Sequence, residues 1–183
     1  MSIYIEGKFF LEETMLQKSY IWVTTTGQTL CENLNAYWAF CDQTASRPEK
    51  FVVFHANDMS DQLPAIFNAL TTVSDSYHHG IDAVIQPIAF DDENILSFQT
   101  NADAFFKEHN RSAARMVIDI SPTTWSFVSV YLMQLARQNR QAVEAVVYLQ
   151  YASHRMRDTP YPLIPISSLT LNNLFSKQLE ERQ

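Results

Sequence analysis

The chain has 183 residues, of which 46% are apolar and 18% are charged, and its formal net charge is −7. This composition is typical of a globular domain rather than a disordered chain. The negative charge argues against a broad basic surface for duplex nucleic acid. It leaves open a small anionic ligand held by backbone N–H groups at helix N-termini, since that mechanism needs no basic surface.

Short apolar runs rich in Val, Ile and aromatic residues alternate with segments of helical period. The runs predict strands, in chain order, at residues 20–24, 51–55, 81–88, 116–120 and 143–151. The segments between them predict helices at residues 30–43, 60–77, 93–108 and 123–139. This alternation predicts right-handed βαβ crossovers. The expected fold is therefore α/β, with a doubly wound, mostly parallel, Rossmann-like sheet and helices on both faces.

Local signals predict where some of these helices begin. Asp58 and Asp92 are expected N-caps, because a carboxylate satisfies free N–H groups at a helix start. Pro122 is expected in the first turn of the last of these helices, where its missing N–H costs little.

The two ends of the chain are predicted separately. Residues 2–10 suit an added strand or hairpin, and residues 160–165 (PYPLIP) are expected to be extended. Residues 168–181 suit a closing helix or a frayed tail.

No composition shift or linker divides the chain. We expect one domain over residues 1–183, with a core at about 18–153 and a C-terminal extension at 154–183. Cys31 and Cys41 lie ten residues apart on one predicted helix, a rise of about 15 Å, which is too far for a disulfide. Both are expected core thiols in a reducing compartment. With neither a signal-peptide pattern nor a long apolar run, the predicted location is the cytoplasm, with no membrane partner.

Two hydroxyl-rich turns are the candidate ligand site. The first follows the first predicted strand and contains Thr24, Thr25, Thr26, Gly27, Gln28 and Thr29. The second follows the fourth predicted strand and contains Ser121, Pro122, Thr123, Thr124, Trp125 and Ser126. In open α/β sheets, ligands bind outside the carboxyl ends of the strands where the strand order reverses, and the first strand commonly lies there.

The chemistry of the two turns suits phosphate or sugar oxygens. Gly27 permits a tight turn, and hydroxyls with free N–H groups bind anions. Trp125 offers a ring on which a base can stack, although core packing is the commoner role of a Trp. The alternative is that Ser and Thr only cap the following helices. Two such turns at one expected sheet edge favour a binding site.

Other motifs point away from common enzyme classes. The chain lacks the G-x-G-x-x-G, Walker A, G-x-S-x-G, HExxH and CxxC patterns. His78 and His79 are adjacent and would project about 100° apart on a helix, which makes a poor metal pair. No metal and no cofactor are therefore expected.

The turns resemble those of the CRISPR-associated Rossmann fold (CARF) domain, a family that binds cyclic oligoadenylate. The matching features are a T-T-G turn within residues 23–29, the Asp119-Ile120-Ser121 turn, and a later strand with Tyr148 and Tyr151. The resemblance covers about residues 20–153.

The second turn departs from the family pattern. Pro122 stands where a glycine is common in the family, and Thr124 stands about where a lysine is common. A ligand phosphate would then be held by hydroxyl and backbone contacts, or by a cation from elsewhere in the chain.

The resemblance implies a homodimer with a symmetric pocket at its interface, which suits a ring of four or six identical nucleotides. The chain is similar to stand-alone members, the small ring nucleases, which implies metal-independent ring cleavage that switches off type III CRISPR signalling. In such a reaction each ribose 2′-OH attacks the adjacent phosphate. Thr25, Thr26 and Ser121 are the candidate catalytic residues, with Thr123 as a further positioning group. Arg155, Arg157 and Lys177 are candidates for charge stabilisation.

Two alternatives remain open at this point. In one, the protein is a non-catalytic sensor or regulator that binds the same ligand, or another nucleotide, and acts through a partner protein. In the other, it is an α/β subunit without a ligand, whose two turns are only helix caps.

Overall fold

A six-stranded sheet lies at the centre of the described part of the protein, a computed structural model covering residues 19–44, 47–77, 83–110, 114–122 and 124–175. The strands are β1 (Ser19–Thr25), β2 (Arg47–Ala56), β3 (Val84–Phe90), β4 (Arg115–Asp119), β5 (Val143–Tyr151) and β6 (Leu169–Asn173). Their order is β3-β2-β1-β4-β5-β6. The first five strands are parallel, and β6 is antiparallel to β5.

Helices connect the parallel strands. They are α1 (Leu30–Gln43), α2 (Leu63–Tyr77), α3 (Ile95–His109) and α4 (Ser126–Gln138). Short 3₁₀ helices occupy Asn57–Gln62, His154–Asp158, Tyr161–Leu163 and Ile166–Ser168. The alternation of strand and helix confirms the predicted doubly wound, Rossmann-like α/β fold.

Each face of the sheet has its own apolar core, because successive side chains of a strand point to opposite faces. Trp22 packs edge-on against Tyr37 of α1, with ring centroids 5.0 Å apart, on the face covered by α1 and α2. Phe54 packs edge-on against Phe98 of α3, at 5.4 Å, on the face covered by α3 and α4. Each such buried side chain stabilises the fold by about 1.5–3 kcal/mol.

The strand order reverses at β1. The chain runs outward from β1 through β2 to β3, then returns to place β4 on the other side of β1. The first strand therefore lies at the reversal, as expected, and β4 is its neighbour. The turns after β1 and β4 meet at the carboxyl edge of the sheet, which is where doubly wound folds bind ligands.

The predicted helix starts were wrong in three places. Asp58 lies within the 3₁₀ helix Asn57–Gln62, which precedes α2. The N-cap of α3 is Asn94, whose side chain accepts from the Leu96 N–H, and Asp92 does not fill that position. Pro122 lies in the turn, since α4 begins only at Ser126.

The C-terminal predictions also need correction. Residues 169–173 form β6 where a helix or tail was expected, and residues 176–181 of that prediction lie outside the described residues. Tyr161–Leu163 forms a 3₁₀ turn within the stretch expected to be extended. Cys41 is buried as expected, whereas Cys31 is only partly buried; both are free thiols. Residues 2–10 lie outside the described residues. Within the described ranges, no helix has the length and apolar character needed to cross a bilayer.

Candidate functional site

Asp119 joins the two predicted turns. Its Oδ2 accepts from the Thr24 hydroxyl at 3.1 Å, and its Oδ1 accepts from the Ser121 N–H at 2.8 Å. The contact is possible because β1 pairs directly with β4, with Val23 opposite Ile118. One carboxyl group thus ties the end of β1 to the turn after β4.

Gly27 lies close against Glu32 of α1. A methyl group added there would lie 2.8 Å from Glu32 Cβ, 2.9 Å from Glu32 Oε2 and 3.4 Å from Pro122 Cβ. The first two distances are shorter than side-chain carbons normally allow, so the close approach requires glycine at this position. A methyl group at this position would also reach ordinary van der Waals contact with Pro122 of the second turn.

Side chains of α1 occupy the backbone donors of the first turn. The Gly27 N–H donates to Asn33 Oδ1 at 2.6 Å, and the Gln28 N–H donates to Glu32 Oε2 at 2.8 Å. Thr29 caps α1 by accepting from the Glu32 N–H at 3.3 Å. Thr29 and Glu32 have the spacing of a capping box. The Glu32 carboxylate thus lies where a bound anion would meet the Gln28 N–H.

The threonines of the first turn lie beneath the surface. Thr24, Thr25 and Thr26 have no exposed surface, and Gly27 is also buried. The Thr26 hydroxyl donates to Met59 Sδ at 3.5 Å, while the Thr25 hydroxyl has no hydrogen-bond partner among the described residues. Of the predicted contacts in this turn, Gln28 is the one with an exposed side chain.

Ser121 fixes the second turn to β5. Its hydroxyl is half-buried and accepts from the Leu149 N–H at 2.8 Å. Pro122 is buried and Thr124 half-buried, with the Thr124 hydroxyl shielded and unpartnered within the described residues. Thr123 lies outside the described residues.

Trp125 packs into the core beneath α4. Its ring meets Phe90 edge-on at 5.9 Å and Phe127 at 6.1 Å. The residue stays half-buried, but its indole N–H is shielded and has no partner in the described part of the chain. These contacts match the commoner, structural role of a Trp.

A cation reaches the first turn from the chain beyond β5. Arg157 Nη1 lies 3.7 Å from Glu32 Oε1, and the two side chains are 22% and 11% exposed. Arg157 belongs to the 3₁₀ helix His154–Asp158, which folds back onto α1 and places the Asp158 carbonyl 3.4 Å from the Cys31 thiol. Arg155 on the same helix is exposed, and Lys177 lies outside the described residues.

Asn35 holds this returning segment in place. Its Oδ1 accepts from the Tyr161 N–H at 2.9 Å, and its Nδ2 donates to the Thr159 carbonyl at 2.9 Å and to the Tyr151 hydroxyl at 3.2 Å. Burial raises the pKa of Tyr151 to about 12, with the negative charge of Asp119 adding to the effect. Tyr151 is thus a neutral hydroxyl close to Asp119.

Burial also changes the acidity of Asp119. It raises the pKa of this carboxyl from 3.8 to about 6, against the opposing effect of the hydrogen bonds from Ser121 and Thr24. A carboxyl group with such a pKa changes its charge close to neutral pH.

Sequence reasoning missed three residues of this site, Glu32, Asn33 and Asn35, and named Asp119 only as part of the second turn without giving it a role. The Thr-x-x-Glu spacing of a capping box was a signal for Glu32. The position of Asp119 at the end of a strand beside the expected reversal was a signal as well. Within the described residues, no group of three or more His, Cys, Asp or Glu side chains is arranged to hold a metal ion, and His78 and His79 lie outside them.

No protein-family model matches the chain, and no curated protein matches it in sequence. Its fold is similar to that of a solved structure, Csm6 from Enterococcus italicus bound to cyclic hexa-2'-fluoro-hexa-dAMP. The TM-score is 0.50 and the identity 11%, over 89% of this chain and 44% of the Csm6 chain. The chain thus spans less than half the length of that protein, and the likeness is one of fold. Fold and site define a Rossmann-like α/β protein in which two polar turns meet where the strand order reverses.

Proposed function

We propose that this protein binds a cyclic oligoadenylate, a ring of four or six nucleotides, at the joined turns after β1 and β4, as a member of the CARF family. The observation that carries the proposal is the Thr24–Asp119–Ser121 connection, which makes one site of the two turns. The position at the reversal of strand order supports ligand binding. The fold likeness to a protein bound to a cyclic hexanucleotide supports the class of ligand.

In this proposal the residues of the two turns have different roles. Gln28 and Ser121 contact the ligand, since the first residue is exposed and the second half-buried. The buried threonines of the first turn shape the floor of the site. The second turn has Thr124 about where a lysine is common in the family, and Arg157 supplies the positive charge instead. Arg157 reaches the site because it pairs with the Glu32 carboxylate, which also accepts from the Gln28 N–H.

A second copy of the chain completes the pocket. The outer face of α4 forms a groove of about 590 Å³ lined by Ile120, Val130, Met133 and Arg137, among others. Val130 is 69% exposed, and Ile120 belongs to the turn after β4, so the groove is continuous with the site. A two-fold axis at this face brings the turns of both copies together, and each half of a symmetric ring then meets the same surface.

The geometry supports binding without cleavage best. Thr25 and Thr26, two of the candidate catalytic residues, are fully buried, and the Ser121 hydroxyl accepts a bond from β5. Metal-independent ring cleavage is the second candidate function, and the observation that favours it is Arg157 at the edge of the site. A positive charge there would stabilise the charge that develops on a phosphate attacked by a ribose 2′-OH.

Binding and cleavage are separated by one experiment. The protein is titrated with cyclic tetra- and hexa-adenylate by calorimetry, then incubated with each ring in EDTA while linear products are resolved. Saturable binding without products supports the sensor, and products formed in EDTA support the ring nuclease. The absence of binding to either ring would refute the proposed function and leave both turns with structural roles only.

A matched pair of arginine variants tests the site. Arg157→Ala is expected to weaken binding about tenfold or more, because it removes a charge-assisted contact to a phosphate. Arg155→Ala on the same 3₁₀ helix is the control, since that side chain is exposed and is given no ligand contact. Equal affinities in the two variants would contradict the role of Arg157.

A second pair tests the dimer surface. Val130→Asp is expected to convert a dimer to a monomer in light scattering, because it places a charge in the apolar groove. Leu163→Asp, at a side chain that is 73% exposed in a different surface segment, is expected to leave the dimer intact. A wild-type monomer in both the free and the ring-bound state would contradict this part of the proposal.

A further inference from the structure

A buried carboxyl group lies directly beneath the proposed ligand site. Asp119 has no exposed surface and is shared by both turns. Its hydrogen-bond donors, the Thr24 hydroxyl and the N–H and hydroxyl of Ser121, are all uncharged. An ionised carboxylate there is therefore held by dipoles alone, in a region where charges are poorly screened.

The surroundings of Asp119 contain few charges. Tyr151 on β5 lies close to it as a neutral hydroxyl, and Glu32 on α1 lies within electrostatic range of Tyr151. The 3₁₀ helix after β5 contributes Arg157, which is engaged by Glu32. On β1, the contact is the uncharged Thr24. A phosphate that binds above this cluster adds negative charge beside an existing carboxylate, which disfavours the ionised form of Asp119.

Thr24 is arranged so that Asp119 can be protonated without losing a hydrogen bond. In the ionised state the Thr24 hydroxyl donates to Asp119 Oδ2, while the Thr25 carbonyl oxygen lies 3.4 Å from the same hydroxyl. When Oδ2 carries a proton, it donates to Thr24 Oγ1, and the Thr24 hydroxyl turns toward the Thr25 carbonyl. The Ser121 N–H keeps its bond to Oδ1 throughout. The proton comes from solvent, and no other bond changes.

We propose that Asp119 takes up a proton when the joined turns bind their anionic ligand. Asp119 is a positioning residue, and its neutral form does not repel the ligand phosphate. The inference rests on the proposed function and adds its regulation: binding is coupled to pH through one residue. The raised pKa of Asp119, about 6 in the free protein, means that the neutral form is readily reached near neutral pH. Affinity should then fall as the pH rises above about 6, by at most about tenfold per pH unit.

Asp119→Asn separates this role from a merely structural one. The amide oxygen still accepts from the Ser121 N–H, and the amide nitrogen donates to Thr24 Oγ1, which reproduces the protonated carboxyl. The variant is therefore expected to bind cyclic hexa-adenylate at pH 8 at least as tightly as the wild type does. Its affinity should no longer change with pH. A structural role alone would weaken binding at every pH and leave the pH profile unchanged.

The test is calorimetric titration with cyclic hexa-adenylate at several pH values between 5.5 and 8, in two buffers of different ionisation enthalpy. The wild type is expected to take up as much as one proton per site near pH 7, and Asp119→Asn none. If proton uptake persists in Asp119→Asn, another group takes up the proton, and the inference is overturned. Glu32→Gln is the matched control, and it is expected to retain the uptake.

A second variant covers the case in which Asp119→Asn does not fold, as judged by circular dichroism. Thr24→Val removes both the donor to the ionised carboxylate and the acceptor of the protonated one, and it is expected to change the proton uptake. Unchanged uptake in Thr24→Val would overturn the inference. If the wild type binds with no proton uptake and no pH dependence, the binding function stands and the inference fails. If the wild type binds at no pH, the proposed function itself fails.

Discussion

The buried carboxyl of Asp119 should make the stability of the free protein depend on pH. Burial raises its pKa from 3.8 to about 6, so the unfolded chain releases this proton more readily than the folded protein does. The contribution to stability is fully present below about pH 3.8 and is lost as the pH rises to about 6. Replacing Asp119 by Asn removes this dependence while keeping the shape of the side chain.

The size of the effect follows from the two pKa values. Each pKa unit corresponds to about 1.4 kcal/mol, so a rise from 3.8 to about 6 corresponds to about 3 kcal/mol. Between about pH 3 and pH 7.5, the wild type should therefore lose about 3 kcal/mol of its free energy of unfolding relative to Asp119→Asn.

Urea unfolding at both pH values measures this difference directly. Other titrating groups are common to the two proteins, and their effects cancel when the free energies of unfolding are subtracted. Asp61→Asn, which changes an exposed carboxylate in the 3₁₀ helix before α2, is the control and should follow the wild type. A wild-type profile parallel to that of Asp119→Asn would refute the reasoning. The reasoning would also be refuted if the wild type gained stability relative to Asp119→Asn as the pH rises.

Three further substitutions test the first turn. Gly27→Ala forces a methyl group into contact with Glu32 and should lower the free energy of unfolding by about 1–3 kcal/mol in urea; no loss would contradict the close approach. Thr29→Ala removes the N-cap of α1 and should cost about 1 kcal/mol in the same assay, while Thr29→Ser should restore most of it; equal losses would argue against the cap. Glu32→Gln keeps the bond to Gln28 but removes a charge that competes with the ligand, so calorimetry should show affinity for cyclic hexa-adenylate about threefold tighter. Weaker binding by Glu32→Gln would contradict a competition between the Glu32 carboxylate and the ligand.

Much of the fold was predictable because several elements carry a complete local pattern. Residues 30–43 and 143–151 were predicted with the bounds that α1 and β5 have. In contrast, β6 was missed because its side chains are mostly half-buried and its strand form depends on antiparallel pairing with β5. Strand propensity in such an edge strand is set by its neighbours more than by its own residues.

The predicted helix starts were wrong for a local reason. Several side chains near each start were able to cap, and the sequence does not show which one competes best. At α3, Asn94 takes the cap while Asp91 bonds instead to the Glu93 N–H. Before α2, the chain first forms the 3₁₀ helix that contains Asp58.

The place of the site was predictable, but its accessibility was not. Topology alone brought the turns after β1 and β4 to one edge of the sheet. The burial of the threonines and the bond between Thr24 and Asp119 depend on contacts between residues 95 positions apart. The arrival of Arg157 depends on how the chain after β5 folds back, which no local pattern encodes.

Hydrogen–deuterium exchange with saturating cyclic hexa-adenylate tests the central claim most directly. Binding at the joined turns should slow amide exchange in the peptides that contain Gln28 and Ser121, and in the peptide that contains Arg157. Peptides from the opposite, amino-terminal edge of the sheet, such as the one around Lys50, should be unchanged. Protection confined to that opposite edge, or no protection anywhere at saturating ligand, would contradict a binding site between β1 and β4.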